Sequence, residues 1–341
     1  MNEKDKVTIY DISKRLNISA ATVSRALNNS PKISLKTREL VMTTAKEMNY
    51  KQNRLALALK SGKTNKVAVV IPFINRNFFS SVIRGIEEKL APLGYHIIIC
   101  QTHEDVQREI EQVNALLDTQ VDGIFLSTAK TTQGTDHIQN IKNSHTPLIF
   151  FDRTKEVSGV SSVTIDDYKA GFQATEHLIR QGCRRIAHIS GDLQTDIYKN
   201  RYNGYRDALK ANGIKWEEKY MIEGSSKLEM GISAVNQLWN LEEKPDAIFA
   251  ASDFTAMGAI QELQRRKIAI PKEVCVVGFS NEPFTKYLEL SLTSVDQKPQ
   301  EMGKIAAEVF LEQVNGDKTV SIQKKVVLTP ELIIRKSSNR A

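Results

Sequence analysis

Three cysteines in 341 residues, Cys100, Cys183 and Cys275, are odd in number and too widely spaced for a disulfide framework. They fall mostly inside apolar runs, so buried reduced thiols are expected. The six histidines show no metal-ligand spacing, and no serine sits in a nucleophile elbow. Gly62-Lys63-Thr64 imitates the end of a phosphate-binding loop, but the glycine required five places earlier is Leu57 and no strand precedes it. These absences argue against an enzyme, a bound metal and a cofactor. No stretch approaches the roughly 18 apolar residues of a membrane span. The opening Met1 to Lys6 also lacks the apolar centre of a secretory signal. A cytoplasmic protein with no membrane partner is the expectation.

What is present is a basic excess, and its position is informative. The chain has 47 Lys+Arg against 40 Asp+Glu, a net charge of +7. Positions 1 to 60 hold twelve basic and five acidic residues, whereas the remainder holds 35 of each. The whole excess lies in the first sixth of the chain, as suits a module that neutralises phosphates. A solvated basic face would have the same composition.

That first sixth reads as three short helices. Thr8 followed by Asp11 resembles a capping box, with Ile9, Ile12 and Leu16 at helical spacing. Asn17 and Ile18 make a turn. Ser19 can cap a second helix whose inner face carries Val23 and Leu27 and whose outer face carries Thr22, Ser24, Arg25 and Asn28. After Pro31, Ser34 can cap a third, with Val41, Ala45 and Met48 inward. Residues 53–60 have helical propensity but are too short to be stable alone, and Ser61 to Asn65 reads as a linker.

From Val67 onward, short apolar strands alternate with amphipathic helices, the pattern of parallel α/β units. Strands are expected at 67–71, 97–100, 123–127 and 148–151. A second series is expected at 162–165, 186–190, 220–223, 247–250 and 274–279. The halves echo each other in DGIFLS (122–127) and DAIFAA (246–251). The fold class is thus an all-α helix-turn-helix headpiece plus an α/β core of two doubly wound lobes, with ligand groups at strand carboxyl ends facing an interlobe cleft.

Several ordered motifs then resemble one family. VTIYDIS (7–13), SAATVSRALN (19–28), NRLALAL (53–59), VVGF (276–279) and LTSVDQ (292–297) are similar to the lactose/galactose repressor (LacI/GalR) family, over essentially the whole chain. The resemblance implies a headpiece at 1–52, a hinge helix and linker at 53–65, and a periplasmic-binding-protein-like effector and dimerisation core at 66–341. Lobe one would take about 66–164 and 295–325, and lobe two about 165–291 and 326–341. The implied function is that of a ligand-responsive repressor of carbohydrate-related genes, binding a near-palindromic double-stranded operator as a homodimer.

In such headpieces the second helix enters the major groove. Thr8, Ser19, Ala20, Ala21, Thr22, Ser24, Arg25 and Asn28 are the implied DNA contacts. Arg25 can offer its fork to guanine, or serve a phosphate. Ala20 and Ala21 stand at the variable specificity positions with only methyl groups to offer. Asn53, Arg54, Ala56 and Leu59 form the hinge contacts, Leu59 being the minor-groove wedge; ordinary helix packing is its other reading.

The implied effector residues are Phe78, Phe79, Asp152, Arg201, Ser252, Asp253, Ser280 and Asn281. The phenylalanines could enclose a ligand or pack the following helix. Asp152 could accept two hydroxyls, Arg201 could fork onto hydroxyls or a carboxylate, and Asp253 could merely cap its helix. Ser252 replaces the family's usual Asn, and Ser280-Asn281 falls where many sugar-responsive members carry an acid, so the ligand, a sugar or sugar derivative, is left open. Arg153 beside Asp152 favours an acidic one. A core that answers to a partner protein or phosphorylated metabolite is the alternative, and a sugar carrier for transport is disfavoured by the headpiece.

Overall fold

The computed structural model describes residues 7–51, 63–315 and 323–340. Two compact units, residues 1–64 and 65–341, divide the chain.

The first unit holds α1 (Ile9–Leu16), α2 (Ala20–Leu27) and α3 (Leu35–Glu47). Local signals start and stop each helix. The Asp11 carboxylate accepts from both the backbone N–H and the hydroxyl of Thr8. Asn17 ends α1 in the left-handed region, at φ 51°, where asparagine is tolerated better than most residues. Ser19 and Ser34 each accept from a backbone N–H three residues on, as N-caps do. Ile12, Val23, Ala26, Val41 and Ala45 form the small core. Ala26 takes the fully buried place that periodicity assigns to Leu27, which is only half-buried and packs against that core.

The second unit is built on two six-stranded sheets. Sheet one contains β1 (Lys66–Ile71), β2 (His96–Gln101), β3 (Gly123–Leu126), β4 (Leu148–Phe151), β5 (Ser161–Ile165) and β11 (Lys325–Leu328), in the order β11-β5-β4-β3-β1-β2, all parallel. Sheet two contains β6 (Ile186–Ser190), β7 (Met221–Glu223), β8 (Ala247–Ala250), β9 (Cys275–Phe279), β10 (Thr293–Asp296) and β12 (Glu331–Ile333), in the order β12-β10-β9-β8-β6-β7. Only β12 runs antiparallel, against β10. The helices are α4 (Asn77–Leu90), α5 (Val106–Asp118), α6 (Asp136–Asn143), α7 (Asp167–Arg180), α8 (Asp196–Ala211), α9 (Leu228–Leu238), α10 (Asp253–Arg265), α11 (Phe284–Tyr287) and α12 (Pro299–Asn315). Among the described residues no helix is long and apolar enough to cross a membrane.

The internal echo has a structural counterpart. Asp122 and Asp246 stand just before β3 and β8, where their carboxylates accept backbone N–H groups of Asn65 and of Arg184 and Arg185, the residues leading into β1 and β6.

Sequence reading and structure differ at the crossovers. β5 belongs to sheet one, so the strand at 162–165 closes the first lobe instead of opening the second series. Val295 and Asp296 pair within sheet two, and 326–328 pair with β5 in sheet one. Both differ from the lobe boundaries drawn from resemblance. β10, β11 and β12 are short or partly exposed strands, and no local pattern announces which sheet will receive them. Three helix pairs approach through glycine. A Cβ on Gly85, Gly171 or Gly231 would lie 2.1, 2.2 or 2.0 Å from the backbone oxygen of Gln300, Arg201 or Thr255.

Candidate functional sites in the headpiece and the cleft

In the headpiece unit, α2 carries most of the expected DNA contacts. Arg25 and Ala21 are exposed on it, as are Ser19 before it and Asn28 after it, while Ala20, Thr22 and Ser24 are half-buried. Ser19 and Thr22 hold each other, hydroxyl to hydroxyl at 2.8 Å, and Asn28 donates to the Ser24 carbonyl. Arg25 differs from its neighbours. Arg15 pairs with Glu47 and Arg38 donates to the Ser30 carbonyl, whereas the Arg25 guanidinium has no ion pair or hydrogen bond among the described residues. Thr8 is exposed but committed to its capping box. Asn53, Arg54, Ala56 and Leu59 lie outside the described residues.

In the second unit a cavity of about 250 Å³ opens between the lobes at the carboxyl ends of the strands. That is where open α/β sheets bind ligands, because helix N-termini and loops converge there. Six of the eight expected effector residues line it: Phe78, Phe79, Asp152, Arg201, Ser252 and Ser280. Phe78 and Phe79 are largely buried and pack edge to face, Phe79 also against Phe151, so the packing and enclosing readings both describe them.

Arg201 is the most constrained side chain. It is 3% exposed. Its Nε donates to Asp167 at 2.7 Å and its Nη1 to the Ala251 carbonyl at 3.2 Å. The guanidinium lies 3.5 Å from the centre of the Phe279 ring. Among the described residues Nη2 has no hydrogen-bond partner. Burial pushes the Asp167 carboxyl up to about 6 despite the Arg201 charge, so here desolvation outweighs the ion pair. Asp152, at φ 60°, accepts from the Ser127 hydroxyl at 3.2 Å. Burial raises its pKa against the pull of Arg153 and Arg201. Ser280 sits at φ 110°, a strained region for a residue with a Cβ, of the kind that clusters at binding sites.

Two expectations need correction. Asn281 does not line the cleft: its amide donates to Asp296 and its carbonyl accepts from Arg335, so the side chain is spent on the crossover strands. Asp253 is fully buried and neither lines the cleft nor caps α10; its oxygens accept from the Glu282 N–H and the Ser294 hydroxyl, tying β9 and β10 to the helix start. Burial drives its carboxyl up to about 7.

That shift has a testable sign. Between pH 4 and 7 the native Asp253 keeps a proton that the unfolded chain has lost, so its contribution to stability falls as pH rises through that window. His188, pushed down to about 4 by burial, works the other way. Comparing the chain with Asp253→Asn isolates the one group. The stability difference, wild type minus variant, is expected to shrink by roughly 1 kcal/mol per pH unit in urea titrations across that window. A pH-independent difference would contradict the assignment.

Sequence reasoning missed Arg76, Lys130, Tyr198, Lys227, Phe254 and Glu282, all on the cleft wall. Each lies in a loop or a first helical turn, and only the fold brings them together. Arg153 was noticed; its Nη1 pairs with Glu104 at 2.7 Å.

Residues 8–53 match the family described as bacterial regulatory proteins, lacI family, and residues 64–333 match periplasmic binding proteins and sugar binding domain of LacI family. The chain belongs to the LacI family. Among its relatives, catabolite control protein A of Priestia megaterium is 32% identical over 98% of this chain and 99% of its own length. The HTH-type transcriptional regulator DegA of Bacillus subtilis is 34% identical over 98% of each. The structure of the transcriptional regulator CelR in complex with cellobiose is 28% identical, with a TM-score of 0.73, over 97% of this chain and 99% of that one. The lac repressor dimer bound to operator and an anti-inducer shares the fold at a TM-score of 0.87 and 22% identity, over 98% and 99%. This LacI-family chain is thus a DNA-binding transcriptional regulator with a two-lobed core of the periplasmic-binding-protein type, and the relatives named here are regulators.

Proposed function

We propose that this chain is a cytoplasmic, non-catalytic repressor of carbohydrate-related genes that binds a near-palindromic operator as a homodimer and is switched by a small molecule in the interlobe cleft. The observation that carries the reading is the cleft itself, walled by Asp152 just after β4 and by Arg201 on α8, in a chain that also bears a helix-turn-helix unit. A ligand that contacts both lobes favours one interlobe angle, and by linkage it alters operator affinity only to the extent that it discriminates between the two states. The headpiece is assigned to 1–52, the hinge to 53–65 and the sensor to 66–341. Arg25 reads a base edge, the other exposed residues around α2 position the phosphates, and Leu59 wedges the central base step.

The test is footprinting of the full chain on DNA beside its own gene, followed by gel-shift titration of variants. Arg25→Ala is expected to weaken binding by roughly tenfold to a hundredfold, the range for losing one bidentate base contact of about 1–3 kcal/mol. Leu59→Gly should weaken it comparably and reduce the bend. Unchanged affinity in Leu59→Gly would remove the hinge-wedge assignment. Metabolites of neighbouring genes that shift the footprint support the switch.

A further inference from the structure

The charge lining the cleft is unbalanced in one direction. Arg153 is paired with Glu104 and Arg201 with Asp167, and Glu282 on the same wall feels the charge of Arg76, but among the described residues the side-chain ammonium groups of Lys130 and Lys227 have no carboxylate partner. Lys130 lies 5.2 Å from the centre of the Tyr198 ring. The Tyr198 hydroxyl is 2.9 Å from that of Ser226, next to Lys227, and Arg76 reaches the Ser226 carbonyl at 3.4 Å while stacking over Phe254. These contacts place Arg76 and Lys130, from the first lobe, about the Tyr198–Ser226 pair, and Lys227, from the second, lines the same cavity.

Helix ends point the same way. Ser19, Ser34, Asp105 and Asp166 cap their helices with side-chain oxygens. The N-cap residues of α4, α9 and α10, at the cleft wall, are Arg76, Lys227 and Ser252, and none makes a side-chain cap hydrogen bond. A cation at a helix N-terminus opposes the dipole, and the first turn of α4 has no acidic residue to offset Arg76, whereas Glu229 stands in the first turn of α9. Such an arrangement is stabilised by an anion. Independently, Arg153 is 9% exposed, and its buried Nε, 3.8 Å from an Asp152 carboxylate oxygen, makes no hydrogen bond among the described residues. The Tyr198 phenol also reports the field. Burial raises its pKa, yet Lys130, Arg153 and Arg201 outweigh burial and leave it lowered, while buried Tyr205 is raised.

We propose that the effector is an anion, a sugar-sized hydroxylated molecule whose carboxylate or phosphate docks between Lys130, Lys227 and Arg76 and so bridges the lobes. This rests on the reading of the cleft as the effector site. Its hydroxylated part meets Asp152 and the free Nη2 of Arg201.

The experiment is calorimetric titration of the full chain at fixed ionic strength with glucose, glucuronate, glucose 6-phosphate and inorganic phosphate as probes. Glucuronate or glucose 6-phosphate is expected to bind roughly tenfold or more tightly than glucose, the worth of one added charge contact. Which of the two wins separates carboxylate from phosphate. Lys130→Met and Lys227→Met should each erase most of the preference, with melting curves checking that the variants fold. Glucose binding as tightly as both anions, a preference that survives in both variants, or no binding by any probe would overturn the proposal. If an uncharged metabolite alone releases the chain from its DNA, the anion assignment falls and the effector reading stands. A chain whose DNA affinity responds to no small molecule sinks that reading instead.

Discussion

Arg201→Met is expected to cost the core about 3–5 kcal/mol of stability at neutral pH, the range for removing one partner of a buried ion pair. Asp167 is 6% exposed and would be left facing the gap with no cation. Its carboxyl already sits at about 6 with Arg201 present, because burial dominates. Without Arg201 it must either ionise unpaired or take up a proton. The penalty should therefore shrink toward pH 5, where protonation is easy, and grow as pH rises. Asp167→Asn in the same chain should recover much of the loss, since an amide is not a buried charge. A double-mutant cycle in urea, followed by circular dichroism, measures that coupling. A single-variant loss below about 1 kcal/mol, or strict additivity of the two substitutions, would show that the pair carries little. Both variants should also lose affinity for any cleft ligand, because Arg201 holds Phe279 and the Ala251 carbonyl in place as well as offering Nη2.

Gly171→Ala is the second large effect, and its sign is set by competition. Alanine in a helix interior is favoured over glycine by about 1 kcal/mol. At Gly171, however, the added Cβ would lie 2.2 Å from the carbonyl oxygen of Arg201 on α8, and backbone cannot rotate aside as a side chain can. Gly204 makes the reciprocal approach, 2.1 Å from the Tyr168 carbonyl. The helices must separate, at an overpacking cost of roughly 1–3 kcal/mol, and the displaced residue is the one that orders the cleft. Gly171→Ala should lower the denaturation midpoint and weaken cleft binding together. Gly134→Ala, where a Cβ meets nothing within 4 Å, is the matched control and should do neither. Equal behaviour of the two variants would exclude the close-packing account.

Much of the architecture was legible because its signals are local. Ser19, Ser34 and Asp11 mark helix starts, since a side-chain oxygen satisfies a backbone donor only at a helix's first turn. β1, β4 and β8 are apolar runs buried on both faces, as parallel strands between helices must be. The repeated aspartate before β3 and β8 showed the two halves to be alike. Asp152 was legible as a carboxylate ending the strand at 148–151, whereas Arg201 came from resemblance, because nothing in its neighbours distinguishes a cleft arginine from a surface one. The lobe boundaries were misplaced at β10 and β11, since a strand's sheet is decided by its partners: β10 joins β9 and β12, while β11 joins β5, more than a hundred residues earlier in the chain.

By itself, then, the sequence determined a basic three-helix headpiece followed by two alternating α/β lobes, as periodicity, caps and charge placement act within a few residues. The tertiary structure alone decided that Asp253 and Asn281 serve the crossover and not the cleft, and that Arg76, Lys130 and Lys227 line one cavity. Desolvation and Coulomb energies depend on distances through space, and those exist only once the lobes have closed on one another.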